Sequence, residues 1–204
     1  MEEVNEVILD IVEVLSKEII KNDIKFVFSG SVSTLLQGCK VEPGDIDILV
    51  STSGDVKKII SLFSNYLEDE ESEDTPESWM ASKAKKLIRF EDPLKNNWTL
   101  SRFNINHIDI EIANIRPSIE EKYIKGTGLW ENGPHICTYI KHIPFRNIVV
   151  PVIPLEIQLE TNLNRKKHDR VEKIINIFNI QGYDQELLDY SLSNENKKSI
   201  VGLL

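Results

Sequence analysis

Cysteine is almost missing from this chain of 204 residues: Cys39 and Cys137 stand far apart and have no other thiol to join. Two distant thiols build neither a disulfide framework nor a zinc cluster, so a reduced, cytoplasmic protein is expected. The four histidines show no zinc-ligand spacing either. No apolar stretch reaches the ~18 residues of a membrane span, so no membrane association is expected. Residues 1–22 are acidic and amphipathic, without the basic start and apolar block of a secretory signal. No internal repeat is visible. Basic charge is scarce as well, with 24 Lys and Arg against 33 Asp and Glu and a formal net charge of −9. Seven of those acids crowd into residues 68–77. Setting them aside leaves 26 acids against 24 bases, or −2. The body of the protein is therefore near neutral, and its charge does not exclude a nucleotide or RNA partner.

What remains is ordinary globular material, 41% hydrophobic and 28% charged. The length suits one domain with a substantial core, or one domain plus a helical appendage. Val4, Val7, Ile8, Ile11, Val12, Leu15 and Ile19 form a helical stripe over residues 2–21. Residues 24–28 read as a buried strand ended by Gly30-Ser31, and 32–37 as a helix with Gly38 past its end. Pro43-Gly44 is a turn, 45–51 a strand, and 55–67 an amphipathic helix. The acidic stretch 68–78 reads as an exposed loop. Strands are expected at 86–90, 98–105 and 107–112, with a turn at Asn104-Ile105-Asn106. Residues 117–133 read as irregular, then strands at 136–143 and 148–153. Helices follow at 155–163, 168–178 and 184–192, before a short tail. This order predicts an α/β (α+β) fold: a mixed β-sheet core over 1–153, flanked by helices, and a helical C-terminal segment over 154–204 packed on it.

Asp45-Ile46-Asp47 is the most informative stretch. Side chains alternate along a strand, so the two carboxylates share one face inside the run Ile46, Ile48, Leu49, Val50. Like charges this close disfavour each other's ionisation. A hard divalent cation removes that penalty, and Mg²⁺ brings phosphates with it. Upstream, Gly30 lets a backbone approach a ligand closely, and Ser31 opens a helix whose free N–H groups suit a phosphate. Downstream, Asp109 and Glu111 share the face of another strand. A third carboxylate there would serve as base for an attacking hydroxyl or as ligand to a second metal, and Asp109 is the first choice. Arg165, Lys166, Lys167, His168 and Arg170 read equally as a triphosphate or RNA contact and as a solvated helix face. Trp79, Trp98 and Trp130 can stack a base, but large aromatics more often pack a core.

Gly30-Ser31, a thirteen-residue spacer, and Asp45-Ile46-Asp47-Ile48 together resemble the signature of the polymerase-beta-type nucleotidyltransferase superfamily. That superfamily includes aminoglycoside nucleotidyltransferases, minimal nucleotidyltransferases of toxin–antitoxin pairs, and abortive-infection toxin-like enzymes. Pro154-Leu155-Glu156 and Arg165-Lys166-Lys167-His168-Asp169 resemble the latter half of such small enzymes, although His168 interrupts the Lys-Asp pair. The resemblance implies transfer of a nucleoside monophosphate from a nucleoside triphosphate to an acceptor hydroxyl, with release of pyrophosphate. Gly30, Ser31, Arg165 and Lys167 would bind the nucleotide. Asp45, Asp47, Asp109 and Glu111 would ligate Mg²⁺ or Mn²⁺, with Asp45, Asp47 and Asp109 as the catalytic set. The acceptor, whether small molecule, tRNA or protein, is not specified, and a homodimer is compatible. Two other readings stay open. One is a catalytically silent domain of the same fold that binds nucleotide or a partner. The other is a metal-dependent glycosyltransferase, disfavoured because only 44 residues precede Asp45. A haloacid-dehalogenase phosphatase is disfavoured further by Leu49, where that motif wants Thr or Val.

Overall fold

The computed structural model describes residues 2–69, 75–118, 122–133 and 138–204. The central acidic residues 70–74 and Cys137 thus lie outside the described residues. Helix α1 (Glu2–Lys21) buries Ile8, Ile11, Val12, Leu15 and Ile19, the three-to-four spacing of one helical face. Strand β1 (Phe26–Phe28) and helix α2 (Gly30–Leu36) follow, then β2 (Asp45–Val50) and α3 (Ser53–Leu62). The expected helix over 55–67 breaks at Phe63 and continues as a 3₁₀ turn over Ser64–Tyr66. Strands β3 (Ile88–Glu91), β4 (Asn96–Ile105), β5 (Ile108–Pro117), β6 (Lys141–Phe145) and β7 (Ile148–Val152) complete the sheet. Helices α4 (Leu155–Asn164), α5 (His168–Gln181), α6 (Gln185–Ser191) and α7 (Asn194–Ser199) end the chain, the last where only a tail was expected.

The seven strands lie in the order β3-β4-β5-β2-β1-β7-β6. β2 pairs with β5, and β1 with β7, in parallel. The remaining neighbours are antiparallel, so the sheet is mixed and the fold is α/β as expected. Ile46 and Ile48 of β2, Ile110 and Ile112 of β5, Phe28 of β1 and Phe103 of β4 share one buried cluster with the apolar faces of α1 and α3. Asp45, Asp47 and Leu49 alternate onto the opposite face.

The β4–β5 turn sits at Asn106 and His107, both left-handed (φ 52° and 66°), two residues after the expected start of the turn at Asn104. Two consecutive positive φ values mark a type I′ hairpin turn, so His107 belongs to the turn rather than to the acidic face of β5. Polar side chains clamp α2 to the C-terminal half: the Ser33 hydroxyl and Gln37 amide donate to Ile153 O, and the Thr34 hydroxyl donates to Gln158 Oε1. Among the described residues, no helix is long and apolar enough to cross a membrane.

Candidate active site

The parallel pairing of β2 with β5 sets Asp45 beside Asp109 and Asp47 beside Glu111. Paired residues of neighbouring strands present their side chains on the same face, so four carboxylates stand on one face at the N-terminal ends of two adjacent strands. β1 runs antiparallel to β2, which brings its C-terminal end to that corner, and Ser29 N donates to Asp47 O at 3.0 Å. Gly30 follows with φ +58°, a left-handed backbone that favours glycine. A Cβ at position 30 would overlap Asp47 Oδ2. Both the dihedral and the close approach therefore demand glycine there. Ser31 is buried at the start of α2.

The acids differ in their partners. Glu111 accepts from Arg102 Nη2 at 2.6 Å, the residue opposite it on β4. Arg102 also donates to Glu77 O. Asp109 accepts from Asn104 Nδ2 at 2.8 Å, again across the β4–β5 pair. Asp47 has no such partner among the described hydrogen bonds. Burial, followed by the charges of Asp45, Glu111 and Glu131, pushes its carboxyl up to about 8, against a smaller opposing effect of Arg165.

Glu131 was not foreseen. The segment that carries it is tied down by Leu129 N to Ser191 O (2.7 Å), Glu131 N to Thr161 Oγ1 (3.4 Å) and Gly133 N to Trp130 O (2.9 Å). Its carboxylate is 3% exposed, and burial raises its pKa against the opposing Arg165 charge and the Gly30 N–H. Arg165 Nη1 lies 3.9 Å from Glu131 Oε1. Arg165 thus reaches the acidic corner. Lys167 is exposed and makes no hydrogen bond or ion pair with these acids among the described residues. Among the described residues, no three His, Cys, Asp or Glu side chains close on one point as a ready-made metal cage.

The tryptophans have other occupations. Trp79 is buried in the core. Trp98 stacks on Phe90 with ring centroids 5.6 Å apart, gives its indole N–H to Asp92 Oδ2, and meets Trp130 at 6.4 Å. A cleft of about 1520 Å³ opens at the far end of α2, between Gln37, Tyr139, Glu156, Phe178, Tyr183 and Tyr190, and none of the four strand carboxylates lines it.

A scan against known protein families matches none, and no curated protein matches the sequence. Among solved structures the chain is similar to one described as a "putative nucleotidyltransferase" from Thermotoga maritima, at a TM-score of 0.56 and 21% identity. The likeness covers 87% of this chain and 96% of that one. At that identity the likeness establishes a shared fold, the mixed α/β sheet flanked by helices described above.

Proposed function

We propose that the protein is a metal-dependent nucleotidyltransferase, moving a nucleoside monophosphate from a nucleoside triphosphate to an acceptor hydroxyl. The observation that carries this reading is the register of β2 against β5, which gathers Asp45, Asp47, Asp109 and Glu111 beside the left-handed Gly30. The residues fit a divalent cation. Asp47 has no hydrogen-bond partner among the described residues, and burial together with the charges of three other acids holds its carboxyl above the usual range, a strain that a cation would relieve. Asp45 and Asp47 would hold Mg²⁺ or Mn²⁺, which when bound supplies charge neutralisation to the triphosphate.

The chain's own residues do the rest. Gly30, with Ser31 behind it, lets the triphosphate approach the backbone closely. Arg165, about half exposed, supplies a guanidinium to the phosphates, with Lys167 further out as a second cation. Glu111 is committed to Arg102, which leaves Asp109 as the base. Asn104 orients its carboxylate. The acceptor oxygen bonds to the α-phosphorus, the bond to pyrophosphate breaks, and the hydroxyl proton passes to Asp109.

The test is pyrophosphate release from each of the four triphosphates with Mg²⁺ or Mn²⁺, offered with small-molecule, tRNA and protein acceptors. Asp45→Asn and Asp47→Asn are each expected to lower turnover by about 100-fold or more, the scale of losing a main electrostatic stabiliser. Unchanged turnover in either variant removes the catalytic assignment. A second reading, a nucleotide-binding domain without turnover, is favoured by one observation: no three acids form a ready-made cage among the described residues. Triphosphate binding with no pyrophosphate release under any of these conditions would select it.

A further inference from the structure

We propose that Glu131 is a further ligand of the cation site, shared with Asp47. This rests on the cation reading of the site given above and adds a residue that no sequence motif marks. Glu131 is 3% exposed, yet its Oε2 has no hydrogen-bond partner among the described residues. A buried carboxylate oxygen without a partner is costly and calls for an explanation in terms of an ion or water. The nearest cation is Arg165, at 3.9 Å from the other oxygen, a loose contact beside the 2.6 Å pair of Arg102 and Glu111.

The charges at this corner are uneven. Arg102 answers Glu111 and Arg165 stands by Glu131, which leaves Asp45, Asp47 and Asp109 without a cationic partner among the described residues, an excess of acids that a divalent cation would offset. Asp47 feels the charges of both Glu131 and Arg165, so the three groups share one electrostatic neighbourhood. Glu131 stands 3.9 Å from Arg165, a contact loose enough to yield to a cation. A cation drawn between Asp47 and Glu131 satisfies the orphan oxygen. It also releases Arg165, 52% exposed, to a polyanionic ligand.

The experiment titrates Mn²⁺ alone into the full chain, without nucleotide, and follows free Mn²⁺ by electron paramagnetic resonance. Wild type, Glu131→Gln and Asp47→Asn are compared. Glu131→Gln is expected to weaken Mn²⁺ binding at least tenfold, with circular dichroism and melting temperature retained. Binding within threefold of wild type overturns the inference. If Asp47→Asn loses Mn²⁺ while Glu131→Gln keeps it, the transferase reading stands and the role of Glu131 falls. If wild type takes up no Mn²⁺, both fall. Should Glu131→Gln not fold, Glu131→Asp takes its place: its shorter arm is expected to weaken Mn²⁺ binding at least threefold, and wild-type affinity overturns the inference.

Discussion

Asp47 is a residue whose stability cost and proposed use are one property. Its carboxyl keeps a proton in the folded chain up to about pH 8, while the unfolded chain releases it near 3.8. Between those values the folded state binds more protons, so this group's contribution to stability falls as pH rises from about 4 to about 8 and is flat above. Asp47→Asn lacks that component. In EDTA, the melting temperature of Asp47→Asn minus that of wild type is expected to grow from pH 5 to pH 8, reaching a gain of about 1 kcal/mol or more. A difference that stays constant with pH would show that Asp47 is ionised throughout.

Gly30→Ala is expected to act oppositely, because it adds left-handed strain and forces Asp47 Oδ2 aside. A loss of about 1 kcal/mol or more is expected in chemical denaturation. The alternation of Asp45, Ile46 and Asp47 was readable from the letters alone, since period two needs no tertiary information. Glu131 was not: one glutamate in an irregular segment carries no period, and its place at the site comes from tertiary anchoring of the segment to Ser191 and Thr161.

At the scale of elements, the turns decide the register. Asp92, between β3 and β4, accepts from Leu94 N, Asn96 N, Asn96 Nδ2 and Trp98 Nε1. These bonds hold its carboxyl below the usual range against the opposing effect of burial. Asp92→Ala strands four donors, Asn96 among them buried, and is expected to cost about 1–3 kcal/mol, read as a shift of the urea midpoint.

The β4–β5 hairpin teaches the same lesson about reading. A two-residue turn at 106–107 places Arg102 opposite Glu111 and Asn104 opposite Asp109. Taking Asn104 into the turn instead hides both pairs. Hairpin contacts are therefore recoverable once turn chemistry is read correctly. The β2–β5 register is not, because some sixty residues separate the strands and no local signal fixes their alignment.

For the molecule as a whole, Glu160 joins the C-terminal helices to the rest. It is 1% exposed on α4 and accepts from Ser193 N, Asn196 Nδ2 and Asn164 Nδ2. A Cβ on Gly128 would overlap it, so the loop leading to Glu131 packs onto the same carboxylate. Glu160→Ala is expected to cost roughly 2–3 kcal/mol by stranding those donors. For a chain of this size that lowers the melting temperature by roughly 5–10 °C. Hydrogen exchange should quicken in α7 and in residues 126–133 together, whereas a purely local effect would leave the loop protected.

The fit of Gly30 against Asp47 has an evolutionary corollary. The two positions form a linked pair: while an aspartate occupies 47, any side chain at 30 meets it. A descendant that lost its turnover would shed the acid first, which frees the space but leaves φ at +58°. Asparagine, at ease in that backbone region, is then the successor to look for at position 30 among silent relatives.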